Sequence, residues 1–378
     1  MQMSLRSIAV AITDLFFDEM AIENADRVPL DRPVILAANH HSGLMDAMLL
    51  YAATPRDLRA VGKSTLWKIW PLRPFLAAGR VIPIYRQKDG GGDNAKAFGA
   101  VADALAEGGA VGIFAEGISH DGHGLERIRT GTARMAFDAI SAGARPVIIP
   151  VGLIFEDRER FRSDALIRFG EPIEVADAFP DATSQDRDAV RALTSLIEGG
   201  LRQVAPTWES AELRASARTA AIHQLPVGAS LGEVEAEAER LAAAGPLPDP
   251  DPRFVGERGE ADLLVTPEEI DPELSTALLP LAIAGKYANR PPFLAVDAIA
   301  NTQDSNIRAT VKAGAAIFLY PLWWAGIAAA AHKAGLSWRH AFAVAASVGV
   351  LGLISAREVP LVRSEKRTLA WLRSRPKN

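Results

Sequence analysis

The residues with the clearest chemical potential are Asn39-His40-His41-Ser42-Gly43-Leu44-Met45-Asp46. Imidazole is a good base near neutral pH, because its ordinary pKa of about 6.5 leaves it largely neutral. A carboxylate close by can fix its tautomer and stabilise the imidazolium that forms when it takes a proton. The block therefore reads as equipment for taking a proton from a hydroxyl. Either histidine fits: four residues separate His41 from Asp46 and five separate His40 from it. Taken alone, the segment also fits an Asp46 that caps a helix beside an incidental histidine pair.

Three further blocks bear on this one. Gly79-Arg80-Val81-Ile82-Pro83-Ile84-Tyr85-Arg86 puts Arg86 at the end of a strand candidate, and a guanidinium offers a planar fork of donors suited to phosphate. Phe114-Ala115-Glu116-Gly117-Ile118-Ser119 places a carboxylate and a glycine just after another strand. Ile149-Pro150-Val151 sits in an apolar run and fits a core strand as well as a site. Two segments are decoys. Gly62-Lys63-Ser64-Thr65 resembles the end of a phosphate-binding loop, but position 57, where that loop needs glycine, is Asp. Lys63 remains available to an acceptor phosphate. His120, Asp121 and His123 lack third and fourth ligands at a metal-site spacing and read as a solvated loop.

Strand and helix signals alternate around these blocks. Strands are expected at 34–38, 59–62, 81–85, 110–114, 147–154 and 165–169. Helices are expected at 5–17, from 46, and at 65–77, 94–106, 131–142 and 187–204. This alternation predicts an α/β fold around a central sheet. The helix at 5–17 carries Leu5, Ile8, Ile12, Leu15 and Phe16 on one side, and suits either the domain core or a membrane surface.

Beyond residue 205 the character changes. Ala, Glu and Arg dominate 209–244, which predicts surface helices. Pro246, Pro248, Pro250 and Pro252 then mark an exposed linker. Residues 313–331 and 341–356 carry no charged side chain, and His332, Lys333, Arg339 and His340 lie between them. Two such stretches approach bilayer-spanning length, roughly 17–25 residues, and predict a hydrophobic hairpin. Phe318, Tyr320, Trp323 and Trp324 are residues of the membrane-interface type. Lys312, Arg357, Arg363, Lys366 and Arg367 flank the open end and orient it to the cytoplasm by the positive-inside tendency. The expected organisation is a catalytic domain over 1–205, a helical linker region over 206–310, a membrane hairpin over 311–357 and a basic tail over 358–378.

The 378 residues are 49% hydrophobic and 23% charged, as in folded proteins. A net charge of −5 gives no global field for nucleic acid. The absence of cysteine excludes disulfides, thiolate metal sites and a cysteine nucleophile.

All four blocks fall in one order between Asn39 and Val151, and in that order the chain resembles the glycerolipid acyltransferases of the lysophosphatidic acid acyltransferase superfamily. The resemblance extends through Thr130-Gly131-Thr132-Ala133-Arg134 and Arg168-Phe169-Gly170-Glu171-Pro172 and covers residues 5–205. It departs from the family where Ala115, Ile118 and Ser119 replace Pro, Thr and Arg of the third block. The family's usual block has four residues between histidine and aspartate, which selects His41, whereas the branch resembled tends to have five, which favours His40.

The resemblance implies a glycerolipid-acyltransferase-like domain with a central mixed sheet. It implies a general base at His40 or His41 partnered by Asp46, and an acceptor site at Arg86, Glu116 and Gly117, with Lys63 nearby. In that setting Glu116 orients a cation or accepts from a glycerol hydroxyl. The implied reaction passes an acyl group from acyl-CoA or acyl-carrier protein directly to the hydroxyl of a glycerol-phosphate or lysophospholipid, without cofactor, metal or acyl-enzyme. The first choice of acceptor is 1-acylglycerol 3-phosphate. Glycerol 3-phosphate, another lipid acceptor and a non-catalytic membrane scaffold are the alternatives. The implied setting is the inner, cytoplasmic membrane, with the catalytic domain facing the cytoplasm.

Overall fold

A computed structural model describes residues 5–85, 94–120, 122–158, 160–226, 228–250, 272–303 and 305–355. Arg86, Asp121 and the basic tail at 358–378 lie outside the described residues. The chain divides into two compact units, Met1–Phe155 with Ala165–Glu209, and Glu156–Asp164 with Ser210–Asn378.

The first unit is built on an eight-stranded sheet. Its strands are β1 (Met20–Glu23), β2 (Val34–Ala38), β3 (Leu58–Lys63), β4 (Ile82–Ile84), β5 (Ala110–Phe114), β6 (Val147–Phe155), β7 (Ala165–Phe169) and β8 (Ile173–Glu174). The order is β1-β7-β6-β2-β5-β3-β4, with β8 on β6. β2 runs parallel to both neighbours, β5 and β6, with Ala38 level with Phe114 and Val151. β7 and β8 run antiparallel to β6, which makes the sheet mixed. β2 and β6 are buried along their whole length and β5 nearly so. Such strands are apolar at consecutive positions because helices cover both faces.

Those helices are α1 (Leu5–Phe16), α2 (Leu44–Ala53), α3 (Arg73–Ala78), α4 (Ala95–Ala106), α5 (Gly131–Ser141), α6 (Val175–Ala178) and α7 (Arg187–Val204). α7 shows the logic most plainly. Asp186 caps its first turn through the N–H groups of Asp188 and Ala189, and Val190, Leu193, Ile197, Leu201 and Val204 bury one stripe. That stripe joins one core with Ile35, Val101, Leu105, Val111, Phe137 and Ile148. The Tyr51 hydroxyl, in α2, donates to Gly79 and accepts from the Ala60 N–H, and burial pushes its pKa up.

Two expectations for this unit need correction. The single helix at 65–77 is instead two short 3-10 turns, Ser64–Lys68 and Trp70–Leu72, followed by α3. Pro71 and Pro74 lack the N–H groups a continuous helix would need there. β1 was not anticipated: its four residues alternate too weakly to signal a strand, and its pairing with β7 is what creates it.

The second unit begins with α8 (Ala211–Gln224) and α9 (Leu231–Ala244). Both are capped by serine, Ser210 and Ser230, and Glu233 completes a capping box at Ser230. They are not simple surface helices. Arg218 is buried, donates to the buried Glu235 carboxylate and reaches the Glu156 carbonyl at 2.9 Å. α10 (Pro272–Ala288), α11 (Arg290–Asn301), α12 (Ser305–Lys333) and α13 (Trp338–Ser355) follow.

Two stretches, Thr310–Lys333 and Trp338–Ser355, are long and apolar enough to cross a membrane, and little of either is buried within the protein. Gly335, with φ of 100°, ends α12, and the Leu336 N–H reaches back to the Ala331 carbonyl. Ala328, Ala341 and Ala345 form the seam between α12 and α13, where small residues allow close approach. Asn289 ties this region together. It donates to the Gly285 and Val348 carbonyls and accepts from the Trp324 indole at 2.9 Å.

Candidate active site

The parallel strands β2, β5 and β3 all deliver their C-terminal ends to one edge of the sheet, where the chemistry-bearing loops collect. At the end of β2 the buried Asn39 side chain pairs with both backbone groups of Leu153 on β6, at 2.7 and 3.0 Å. This fixes the start of the next loop, which carries His40.

His40 Nδ1 lies 2.8 Å from Asp46 Oδ2. Asp46 is fully buried in the first turn of α2, where the helix dipole favours a carboxylate, and its Oδ2 also accepts from the Ser42 N–H at 2.7 Å. A carboxylate can only accept here, so Nδ1 of neutral His40 carries the proton and Nε2 carries the lone pair. The ring stacks on Phe114 with centroids 4.0 Å apart and planes 11° from parallel. The side chain is 17% exposed, enough to meet a substrate while its orientation stays fixed. Of the two histidines the sequence left open, His40 is the one that meets Asp46. The His41 ring instead lies edge-on to His120, with centroids 4.6 Å apart.

Glu116 is also fully buried. Its Oε1 accepts the backbone N–H of His40 at 2.7 Å. Its Oε2 accepts from the Glu126 N–H at 2.7 Å and from His120 Nε2 at 2.5 Å. The Gly122 N–H donates to His120 Nδ1 at 3.0 Å, which assigns the proton of neutral His120 to Nε2. Three protein donors therefore converge on Glu116, and in this structure its carboxylate joins the loop after β5 to the loop after β2. The same two loops meet where the His120 N–H reaches the His40 carbonyl at 3.3 Å and the Gly43 N–H reaches Ser119 Oγ at 3.2 Å. Gly117 turns the chain directly after Glu116 at a φ of 69°, a conformation that side chains resist.

His120, expected in a solvated loop, instead packs against Glu116 with its side chain 9% exposed, and its spacing of four from a glutamate in a non-helical segment gave no periodic signal. Lys63 is exposed at the C-terminal end of β3, on the same sheet edge. Pro150 is buried in β6, level with Ala37 of β2.

Comparison with known proteins gives a consistent result. The acyltransferase family model matches residues 19–154, the stretch that holds every one of these loops. Glycerol-3-phosphate O-acyltransferase 2 of Saccharomyces cerevisiae is 36% identical over 132 residues, covering 33% of this chain and 18% of the relative. Glycerol-3-phosphate O-acyltransferase 1 of the same yeast is 33% identical over 120 residues, covering 30% and 16%. The chain thus matches less than a fifth of the length of these relatives. The crystal structure of the 1-acyl-sn-glycerophosphate (LPA) acyltransferase from Thermotoga maritima aligns with a TM-score of 0.41 at 18% identity, over 55% of this chain and 80% of that one. Residues 19–154 thus match the acyltransferase family, and over part of its length the chain is similar to glycerolipid acyltransferases.

Proposed function

We propose that this protein transfers a fatty acyl group from an acyl thioester to a hydroxyl of a glycerol-phosphate or lysophospholipid acceptor. The observation that carries the reading is the His40–Asp46 pair, with Nδ1 engaged at 2.8 Å and Nε2 left as the base. The acceptor hydroxyl gives its proton to His40 Nε2 as its oxygen attacks the thioester carbonyl. Asp46 stabilises the imidazolium that results. Collapse of the tetrahedral intermediate breaks the C–S bond, the ester is released, and the imidazolium returns its proton to the departing thiolate. No acyl-enzyme forms, and no cofactor takes part beyond the thioester donor, acyl-CoA or acyl-carrier protein.

Within this reading Glu116, His120 and Gly117 position the histidine loop. Arg86 and Lys63 are the cations proposed to meet the acceptor phosphate. The first choice of acceptor is 1-acylglycerol 3-phosphate. Glycerol 3-phosphate is a second reading, favoured by the names of the yeast relatives. The two apolar helices support attachment to a membrane, proposed as the inner membrane with the catalytic domain on the cytoplasmic side.

The test is purified full-length protein in detergent, supplied with labelled acyl thioester and a panel of acceptors. Ester formation that disappears in His40→Ala supports the proposal. A folded protein that acylates no acceptor in the panel returns the chain to the alternative of a membrane scaffold with this fold.

A further inference from the structure

The segment between β3 and β4 has no part in the chemistry above, yet it presents the most exposed aromatic side chain of the first unit. Trp70 is 76% exposed, and Ile69 and Phe75 beside it are 48% and 45% exposed. Leaving three such apolar side chains in water is costly. The segment is also one-sided in charge. Residues 58–85 contain Arg59, Lys63, Lys68, Arg73 and Arg80 and no Asp or Glu, in a chain of net charge −5. Arg59 and Arg80 are paired with Glu107 and Asp57. Lys68 and Arg73 are exposed next to the apolar cluster, and Arg73 Nε donates to the Trp67 carbonyl. Lys68, Ile69, Trp70, Arg73 and Phe75 fall within eight consecutive residues, which pass through the 3-10 turn Trp70–Leu72 into α3.

The position of this segment matters as much as its composition. It leaves the sheet at Lys63, the C-terminal end of β3, and β3 is parallel to β5, which is parallel to β2. The segment therefore starts from the same sheet edge as the His40 and Glu116 loops. We propose that Ile69, Trp70 and Phe75, with Lys68 and Arg73, form a docking surface for the face of an anionic phospholipid bilayer. Aromatic rings settle at the headgroup level and cations meet the lipid phosphates there. This rests on the acyltransferase reading only for its purpose, which is to bring the catalytic edge down to acceptors that reside in the bilayer.

The chain has no cysteine, so single cysteines can be introduced without background. Trp70→Cys and Phe75→Cys in the full-length protein are labelled with an environment-sensitive fluorophore and reconstituted in nanodiscs of phosphatidylglycerol and phosphatidylethanolamine. Asp188→Cys, on the exposed face of α7, serves as the solvent reference. Quenching by spin-labelled lipid several-fold stronger at 70 and 75 than at 188, and weaker without phosphatidylglycerol, is the expected result. Labels at 70 and 75 that iodide in water quenches as readily as the label at 188 overturn the proposal, whether or not the protein transfers acyl groups. A second arm uses Trp70→Glu with Phe75→Glu. The rate with bilayer-borne acceptor should fall several-fold while the rate with a short-chain, water-soluble acceptor is retained. An equal fall with both acceptors, or none with either, overturns the docking role. Absence of transfer by the wild-type protein with every acceptor instead counts against the acyltransferase reading, and the quenching still decides the surface.

Discussion

His40 and Glu116 meet through the backbone: the main-chain N–H of the histidine donates to Oε1 of the glutamate at 2.7 Å, while the imidazole itself turns to Asp46. One buried carboxylate holds the position of the histidine's backbone and the other holds its ring. These are separable functions and should fail in different ways.

Loss of the ring or of its partner should act on turnover. His40→Ala is expected to lower kcat by about 10²–10⁴, the usual cost of removing a general base. Asp46→Asn should lower it comparably, because an amide can donate to Nδ1 and so place the proton on Nε2. His41→Ala should cost much less. Purified variants with unchanged thermal melts, assayed side by side, decide the assignment. Equal losses for the two histidines would remove His40 from its role.

Glu116→Gln should lower kcat while leaving the KM for acceptor nearly unchanged. The new amide N–H₂ must face a protein donor, either the His40 N–H or His120 and Glu126. A hydrogen bond to a charged group is worth about 1.5–3 kcal/mol, so a loss of roughly ten- to hundredfold is expected. His120→Ala should mimic it in part, and His120→Gln, whose amide can donate to Glu116, should recover some of the loss. A rise confined to acceptor KM would show that Glu116 holds substrate rather than the loop.

Arg218 and Glu235 form a buried ion pair in the second unit, with side chains 1% and 0% exposed. Removing one partner strands the other charge, at a cost of about 3–5 kcal/mol. Glu235→Ala should therefore lower the melting temperature strongly. Arg218→Met combined with Glu235→Leu should recover most of it, and thermal melts in detergent measure both.

Leu322 in α12 is 69% exposed. On a soluble protein, Leu322→Arg at so open a site would change little. In a membrane span it should cost about 2.5–3.5 kcal/mol of insertion. The expected result is loss of the protein from the membrane fraction, or its degradation. An unchanged distribution would place this helix in water.

The legible parts of this sequence were those whose signal is local. β2, β5 and β6 are runs of consecutive apolar residues because both faces of the sheet are covered, and α7 repeats its apolar stripe at helical spacing. Asp46 and His40 sit six residues apart and meet across a single turn. The parts that stayed hidden depend on distant partners. β1 exists through β7. His120 looked like a loop residue because only folding brings Glu116, His41 and the His40 carbonyl to it. Arg218 sits in an Ala- and Arg-rich stretch that reads as surface until Glu235 and the Glu156 carbonyl are seen to receive it. The helices α10 and α11 were hidden by their prolines: Pro280 lies inside α10, and Pro291 and Pro292 sit in the first turn of α11, where no N–H is needed.

The pairing of β1 with β7 also bears on how the chain folds as it is made. Met20 lies beside Ala165, and Glu23 is joined to Arg168 across 145 residues of sequence. α1 can pack on α2 once the first 53 residues have emerged, but β1 has no strand beside it until β7 is complete. At about 5–20 residues per second, synthesis leaves that backbone waiting on the order of ten seconds. The first strand of the chain is thus among the last pieces of the sheet to lock. A ribosome-bound nascent chain ended shortly before residue 165 should be clipped by protease near Met20, and one extended far enough past Phe169 for β7 to clear the ribosome should not.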